Sequence, residues 1–478
     1  MSLAACVLIP ALAAALVAVC HRRPNLREAV SLAAAVLTFT WMVSFLPEIL
    51  QGERPRVVLG EMMPGLAIVL ELEPLGLLFA LIASGLWFVS AVYCIGYMRG
   101  NAEEHQTRFY VCFALAIAAA IGVALAGNLL TLYLFYEALT LITWPLVTHH
   151  GDDDARRGGR TYLGLLLGSS LALLLPAMVA TWWIAGTLDF TPGGILNGKV
   201  SGGAAAALLA LYAFGIGKAA LMPIHRWLPA AMVAPTPVSA LLHAVAVVKA
   251  GVFSIVKVVV YVFGLDFGTD AFAWLPWVAG FTVIAASVVA LRSDNLKRRL
   301  AYSTVSQLSY VVLAAAILTP LSLAAAALHI AAHALGKITL FFAAGAVYTA
   351  AHKTEVSQLD GVGRRMPWTF AAFGVGALSM IGLPPAAGFV SKWVLVSGAL
   401  EAGHWLALGV IVASTLLNAG YFLPILYKAF FNSPSPSDSF HGEAPLSMVL
   451  ALVATAALTI LMFFWADVPL ALAQGMLG

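Results

Sequence analysis

Long apolar runs, separated by short polar segments, follow one another along the whole chain. A helix needs about 20 apolar residues to cross the hydrocarbon core of a bilayer. The sequence therefore predicts an all-α polytopic membrane protein with about 14 transmembrane helices. The predicted spans cover residues 3–20, 29–50, 74–98, 109–126, 128–147, 162–185, 204–222, 238–264, 271–291, 302–319, 322–350, 368–400, 404–431 and 446–471.

Proline interrupts two of these spans. In the stretch 211–249 a first apolar helix meets Pro223, Pro229, Pro235 and Pro237, and Pro384-Pro385 lies at the centre of 368–400. Proline removes a backbone donor and clashes with the preceding turn, so both helices must break. The breaks fall in the seventh and twelfth spans, which predicts two inverted five-helix repeats, spans 4–8 and 9–13, each with a broken helix.

This spacing divides the chain into four segments. Residues 1–108 form an N-terminal three-helix segment, 109–264 the first repeat, 271–431 the second repeat, and 432–478 a C-terminal helix. Residues 51–73 mix short apolar runs with glycine and proline, which indicates a β-hairpin. The run 3–20 has no basic residues before it, so we expect a retained helix and not a cleaved signal.

Composition and charge agree with this interpretation. The chain is 62% hydrophobic and 10% charged, whereas soluble domains carry roughly 25% charged residues. Seventeen of the 25 lysines and arginines fall in the alternate loops that would be cytoplasmic if the N-terminus is outside, and three fall in the opposite loops. The positive-inside rule therefore places both termini on the outer side of the cell inner membrane. Nothing in this charge pattern indicates a nucleic-acid partner.

The five remaining basic residues lie inside predicted spans, and one carboxylate in the middle of a span joins them. They are Glu137 and five lysines, Lys218, Lys249, Lys257, Lys337 and Lys392. A charge at mid-membrane costs about 3 kcal/mol on insertion scales, so such residues mark ion pathways or buried partners. Lys257 is nearer the outer end of its helix, where the favoured interpretation is that its ammonium reaches the membrane surface.

Glu137 is the predicted partner of Lys218, at the first break. Burial favours the neutral form of a lysine and a nearby carboxylate favours its charged form. A glutamate that approaches and retreats would therefore switch Lys218 between binding and releasing a proton. The alternative is a structural ion pair between two helices.

His329, His333 and Lys337 recur at four-residue spacing and form one stripe on a helix. The sequence favours a proton relay that ends on a lysine, extended by Lys249 and His243. Two alternatives stay open at this point: a polar seam between helices, and a zinc site, for which no third ligand is evident. Lys392, after the second break, is the predicted terminal proton site. The acidic and basic residues of 152–157 are expected to form a solvated turn. His149 and His150 are expected to be surface histidines, with proton collectors as the alternative.

Other chemistries find no support in the sequence. Gly215-Ile216-Gly217-Lys218 lacks the spacing of a phosphate-binding loop. The four cysteines, Cys6, Cys20, Cys94 and Cys112, have no metal-binding or redox spacing and are predicted to pack in the core. No cofactor, metal or catalytic group is therefore expected in this chain.

Four motifs carry a resemblance to a known family. FYEALTLITWP surrounds Glu137, GIGKAALMPIHRWLPAAMVAPTPVSALLHA surrounds Lys218 and His243, HIAAHALGK holds the histidine stripe, and GLPPAAGFVSKW holds Lys392. Together they resemble the proton-conducting antiporter-like subunits of respiratory complex I, Mrp-type cation/proton antiporters and membrane-bound hydrogenases. The lysine at 392 and the absence of a long lateral helix favour the Mrp subunit-D-like or hydrogenase type.

The resemblance implies a function. Glu137 and Lys218 would form the charge pair of a first half-channel, and Lys249, His329, His333 and Lys337 would carry protons along a central hydrophilic axis. Lys392 would lie at the exit side. The partners would be other membrane subunits of one complex, homologous and small, and the sequence leaves open whether Na⁺ is also coupled. The competing hypotheses are a stand-alone solute transporter and a membrane anchor for an inorganic-carbon-uptake or redox enzyme.

Overall fold

The computed structural model describes residues 2–63, 65–434 and 442–477. Its main helices are α1 (Leu3–Val19), α2 (Pro24–Val43), α3 (Pro74–Gly100), α4 (Gln106–Ala124), α5 (Leu129–Val147), α6 (Asp153–Ala185), α7 (Gly202–Gly215), α8 (Thr236–Phe263), α9 (Leu275–Arg292), α10 (Leu296–Ile317), α11 (Pro320–Ala351), α12 (Pro367–Ile381), α13 (Ala387–Glu401), α14 (Trp405–Phe431), α15 (Leu446–Phe464) and α16 (Asp467–Gly475). Short helices lie at Leu46–Leu50, Trp227–Ala230 and Val362–Arg365.

The helices follow the predicted apolar stretches. Within the described residues, 11 helices are long and apolar enough to cross a membrane, and α1, α7 and α12 are shorter apolar helices. The prediction of an all-α polytopic membrane protein is therefore confirmed, whereas the count of fourteen crossings stays a prediction. Residue 64 of the predicted hairpin and residues 435–441 of the predicted C-terminal segment lie outside the described residues.

A two-stranded antiparallel sheet lies within 51–73. Strand β1 (Arg56–Met63) pairs with β2 (Leu66–Glu71), from Arg56 opposite Glu71 to Met63 opposite Leu66. The sheet covers the turn between α4 and α5, where the amide of Val69 donates to Thr131 Oγ1 at 2.8 Å. It therefore caps one end of the helix bundle.

The first break separates α7 from α8. Helix α7 ends at Gly215, and the chain continues through tight turns at Gly217–Ala219, Ile224–Arg226 and Ala231–Val233 before α8 begins. The indole of Trp227 donates to the carbonyl of Gly217 at 2.9 Å, which satisfies a backbone group that the break exposes. Gly251 of α8 packs directly against the backbone of Lys218 and Ala219, where a Cβ would not fit.

The second break separates α12 from α13. Helix α12 ends at Ile381, and Gly382 after it has a left-handed conformation with a φ of +90°. Pro384 and Pro385 follow it in the turn. The carbonyls of Met380 and Ile381 thus lose the helical partners that the following turn would supply.

Helices α6 and α10 begin at least six residues before the positions that the sequence predicts. Helix α6 begins at Asp153 and not at 162, because Asp152 caps it by accepting from the amide of Ala155 at 2.7 Å. The expected solvated turn at 152–157 is therefore the first helical turn, stabilised by two exposed Asp–Arg pairs at i, i+3. Helix α10 likewise begins at Leu296, capped by Asn295. In both cases the basic residues belong to the helix and not to the loop.

Helices α8, α10 and α11 form the centre of the bundle, where almost all of their residues are buried. They carry most of the predicted site residues, including His243, Lys249, His333 and Lys337, each at most 1% exposed. An ionisable side chain so far from solvent needs a hydrogen-bond partner or another charge. The contacts of these residues therefore define the site.

Candidate functional site

Lys218 lies in the first break and is fully buried. Its ammonium donates to the carbonyl of Tyr136 at 2.8 Å and to Thr140 Oγ1 at 2.5 Å. It also lies 3.2 Å from the centre of the Tyr136 ring, a cation–π contact. The Tyr136 hydroxyl accepts from the backbone amide of Lys218 at 3.0 Å. Helix α5 therefore binds both the ammonium and the backbone amide of Lys218.

Glu137 does not complete a hydrogen bond with that lysine in this structure. Both of its carboxylate oxygens are buried and find no hydrogen-bond partner among the described residues. Consecutive helical residues point about 100° apart, and Lys218 occupies the side of Tyr136. The charges of Glu137 and Lys218 are close enough to attract each other. The expected direct pair is thus replaced by two neighbouring groups that lack a shared hydrogen bond.

Lys249 of α8 contacts His333 of α11. Its ammonium forms a hydrogen bond with His333 Nδ1, and both side chains are buried. Of the predicted relay residues, this pair joins two helices directly. A lysine and an imidazole in contact can share one proton, because each is a base when neutral.

His329 continues the row from His333. The two rings are 6.0 Å apart between centroids. His329 Nδ1 lies 3.0 Å from Ser391 Oγ, and its Nε2 lies 3.1 Å from Gln307 Oε1. Since the Gln307 amide nitrogen faces the carbonyl of Met380 at 3.4 Å, its oxygen faces the imidazole, and His329 Nε2 is the donor.

Lys392 is held by the carbonyls that the second break exposes. Its ammonium donates to Met380 O at 2.9 Å and to Ile381 O at 3.0 Å, and it lies 4.8 Å from the centre of the Tyr310 ring. The Met380 carbonyl also accepts from Asn418 Nδ2 at 3.3 Å. A row of contacts therefore runs from Lys249 through His333, His329, Gln307 and the Met380 carbonyl to Lys392, which we call the central row.

His243 and Lys337 form a branch beside this row. His243 Nδ1 lies 3.0 Å from Thr304 Oγ1, which donates to the carbonyl of Leu300 at 2.9 Å. Lys337 donates to the same carbonyl at 3.2 Å. The Nε2 of His243 is buried and finds no partner among the described residues. These contacts link α8, α10 and α11 through one backbone oxygen.

The prediction that the Lys257 ammonium reaches the surface is wrong. Its side chain is 1% exposed and pairs with Glu73 at 3.2 Å, while it also donates to the carbonyl of Ala126 at 2.8 Å. Glu73 further accepts from Tyr261 Oη at 3.0 Å and caps α3 through the amides of Leu75 and Gly76. The position of Glu73, just before Pro74 and a long apolar run, is an N-cap signal that could have revealed it.

The relay histidines are engaged by protein groups. Both nitrogens of His329 and the Nδ1 of His333 have side-chain neighbours at hydrogen-bond distance. The part of the chain that the structure describes holds no group of three histidine, cysteine, aspartate or glutamate side chains arranged to bind a metal. The two histidines therefore fit a polar row between helices better than a zinc site.

Comparisons with known proteins point to one family. A family model described as NADH:quinone oxidoreductase/Mrp antiporter, TM, matches residues 126–418. The NADH-quinone oxidoreductase subunit N of Desulforudis audaxviator is 32% identical over 455 residues, which cover 90% of this chain and 88% of that protein. A component of the Na(+)/H(+) antiporter of Alkalihalophilus pseudofirmus is 30% identical over 439 residues, which cover 84% of this chain but 53% of that protein.

Solved structures share the fold. A chain of the Mrp complex from Dietzia sp. DQ12-45-1b superposes with a TM-score of 0.89 at 22% identity, over 100% of this chain and 97% of that one. A chain of an archaeal membrane-bound sulfane sulfur reductase gives 0.87 at 22% identity, over 99% and 97%. The same helical architecture therefore occurs in at least two kinds of membrane complex.

Proposed function

Because the chain belongs to the NADH:quinone oxidoreductase/Mrp antiporter family of membrane subunits, we propose that it translocates protons across the membrane along its buried lysines and histidines. The observation that carries this proposal is the central row, in which neighbouring protein groups follow one another from Lys249 to Lys392 across five helices. Buried ionisable residues are costly in a bilayer and mark ion pathways. A row of proton donors and acceptors gives these residues such a function.

The central row contains two kinds of group. Its lysines and histidines can bind a proton, whereas Gln307 and the Met380 carbonyl are polar groups that position them. Lys249 and His333 share a proton, and the imidazole of His329 passes a proton between its two nitrogens as it exchanges one tautomer for the other. The Met380 carbonyl accepts from both Gln307 and Lys392 and holds them beside each other. Since an amide and a carbonyl that accepts from both sides do not carry the proton themselves, transfer between His329 and Lys392 would pass through water beside the Met380 carbonyl.

Lys218 and Glu137 would control entry to the row from the first repeat. In this structure the ammonium is held by Tyr136 and Thr140, and the carboxylate lacks a hydrogen-bond partner in the described part of the chain. A buried carboxylate without a donor is costly, which favours a second arrangement in which it meets the ammonium. Exchange between these two arrangements would alternately load and release the proton on Lys218.

The orientation and location follow from charge. The excess of lysine and arginine in alternate loops favours a multi-pass protein in the cell inner membrane with both termini on the outer side. The ends of α3, α5 and α11 at 100, 147 and 351 would then face the cytoplasm, and the sheet would face outward. The two inverted repeats, spans 4–8 and 9–13, would place the two broken helices in opposite senses around the central row.

The partners would be other membrane subunits. A sequence relative of this chain is named as a subunit of NADH-quinone oxidoreductase, and a chain with this fold occurs in an Mrp complex. The chain itself would make no chemical bond, and a partner or an ion gradient would supply the energy. Whether Na⁺ moves in exchange depends on that assembly. A solute carrier or an enzyme anchor would not need the central row.

The test is proton flux in proteoliposomes that hold the whole purified assembly. We expect Lys218→Met and Lys392→Met to slow flux by on the order of a hundredfold, the lower end of the contribution of a positioned proton-transfer group. Lys199→Met, which removes an exposed lysine of an outer loop, is the matched control and should leave flux unchanged. Normal flux in both buried-lysine variants, with assembly intact, would refute the proposal and favour an anchor.

A further inference from the structure

A cleft rich in histidine opens at the end of the bundle where α3, α5 and α11 finish. It has a volume of about 490 Å³ and brings together residues of three separate turns. Four of the 11 histidines of the chain line it. Its glutamates and histidines, which define what we call the histidine cleft, are Glu103, Glu104, His105, His149, His150 and His352.

Glu103 is the centre of this cleft. Its Oε2 lies 3.3 Å from Nε2 of His150 and 3.8 Å from Nε2 of His149, and its side chain is 11% exposed. The rings of the two histidines are 5.8 Å apart. His149 is 3% exposed, and its two ring nitrogens find no hydrogen-bond partner among the described residues. The structure therefore buries a proton acceptor beside a carboxylate that an exposed histidine also reaches.

A second cavity continues from the cleft into the bundle. It has a volume of about 230 Å³ and shares Glu103, His150 and Tyr348 with the cleft. Its deeper wall includes Tyr97, Thr236, Lys297 and Ala344. A single water molecule needs only ~15 Å³ of such space, provided that polar groups surround it. This inner cavity is therefore large and polar enough to be hydrated.

The inner cavity ends close to the branch of the proposed proton path. Lys297 donates to the carbonyl of Ala234 at 2.6 Å and lies one helical turn before Leu300, whose carbonyl holds Lys337. Ala344 lies one turn beyond Phe341, whose ring is 4.6 Å from that of His243. About one helical turn thus separates the cavity wall from Leu300 and Phe341, the residues that contact Lys337 and His243.

We propose that the histidine cleft collects protons from the cytoplasm and passes them through the inner cavity to His243 and Lys337. This inference rests on the proposed function and on the orientation inferred from the charge pattern. A proton leaves a buffer acid or hydronium in the medium and binds an imidazole nitrogen of the cleft. It then returns to water in the inner cavity, and the imidazole becomes a base again.

The groups around Glu103 differ in proton affinity, as a collecting site requires. The hydrogen bond to Glu103 raises the pKa of His150, whereas burial lowers the pKa of His149 to about 4. The other charged neighbours are Arg108, which acts on His149, Asp152, which acts on His150, and Lys297 on the side of the inner cavity. At neutral pH the Glu103–His150 pair therefore holds a proton more readily than the neutral His149 beside it.

The test compares Glu103→Gln, His150→Gln and the double variant in proteoliposomes that hold the whole assembly. His21→Gln, an exposed histidine in another loop of the same predicted face, is the matched control. At low buffer concentration we expect the double variant to take up protons about tenfold more slowly, the lower end of the gain in encounter rate that charged clefts give. The control should match the wild type.

Buffer concentration separates collection of protons from a structural role. A high concentration of imidazole in the medium delivers protons directly to the inner cavity, so it should restore the rate of the double variant. An unchanged rate at low buffer would overturn the inference, and so would a slow rate that imidazole does not restore, because the pair would then be structural. If Lys218→Met abolishes flux while the cleft variants do not, the inference fails alone; if Lys218→Met also leaves flux normal, the proposed function fails.

Discussion

The buried pair Glu73–Lys257 gives the sharpest prediction about stability. Both side chains are almost fully buried, 4% and 1% exposed, and the pair joins α3 to α8 near the sheet. Glu73 accepts from four donors, Lys257, Tyr261 and the amides of Leu75 and Gly76. Removal of one partner of a buried pair costs about 3–5 kcal/mol, because the remaining charge has lost its compensation.

Substitution of Glu73 and substitution of Lys257 should not cost the same free energy of unfolding. Glu73→Leu leaves Lys257 with the carbonyl of Ala126 as its acceptor and also removes the cap of α3, which adds about 1 kcal/mol. Lys257→Met leaves the carboxylate with three donors, so its cost should lie at the lower end of the range. The double variant Glu73→Leu/Lys257→Met has no buried charge and should lose little more than the cap. Its cost should therefore be smaller than that of either single change.

The assay is thermal unfolding of the purified assembly at a fixed heating rate, with proton flux per assembled complex measured in parallel. We expect Glu73→Leu to lower Tm by on the order of 5 °C and the double variant to recover most of that loss. Arg56→Gln, which removes an exposed ion pair at the same end of the bundle, should change Tm little. Flux per complex should stay near the wild-type value in all of them.

Two results would refute this reasoning. If the decrease in Tm of the double variant equals the sum of the decreases in the two single variants, the two charges do not compensate each other. If flux per assembled complex falls in the double variant while Tm recovers, the pair belongs to the proton path and its role is not structural.

Three further predictions concern the site and the cleft. Gln307→Leu removes the acceptor of His329, so we expect flux to fall while assembly, measured by copurified subunits, is retained; Gln307→Glu should preserve part of the flux. Gly251→Val places a side chain against the backbone of Lys218 and should lower the yield of assembled complex, which Gly164→Val, at an open position, should not. Burial lowers the pKa of His149 to about 4 from an ordinary value of about 6.5. The contribution of neutral His149 to stability is therefore present above pH 6.5 and is lost as the pH falls towards 4. His149→Gln should reduce the dependence of Tm on pH between these two values.

The membrane-spanning architecture was predictable because the bilayer thickness constrains helix length directly. The breaks were also predictable, because prolines lie close together at each of them, whereas the single prolines Pro10, Pro145 and Pro424 lie inside continuous helices. The charged residues inside the spans could be identified from the sequence, because a lysine in the hydrocarbon core is costly and therefore indicates an ion pathway or a buried partner. Lys218 at one break and Lys392 beside the other therefore follow from local sequence, although their assigned roles remain proposals.

The partners of these charges were not predictable from the sequence. The contact between Lys249 and His333 depends on which faces of α8 and α11 meet, and spacing within one helix does not reveal that. Glu73 escaped notice because it lies at the start of a helix, where an acidic residue looks like a loop residue at the membrane surface. His149 looked like a surface histidine for the same reason, although the turn that carries it folds inward.

The two broken helices hold their lysines in different ways. Lys218 lies inside its break, and its ammonium donates to a carbonyl of a neighbouring helix, α5. Lys392 lies after its break, and its ammonium donates to a carbonyl at the end of α12, which precedes it in the chain. A change in the spacing between α5 and α7 therefore alters the first lysine and leaves the second untouched. A neighbouring membrane protein that displaces α5 would therefore change the contacts of Lys218. The contacts of Lys392 depend instead on the bend between α12 and α13.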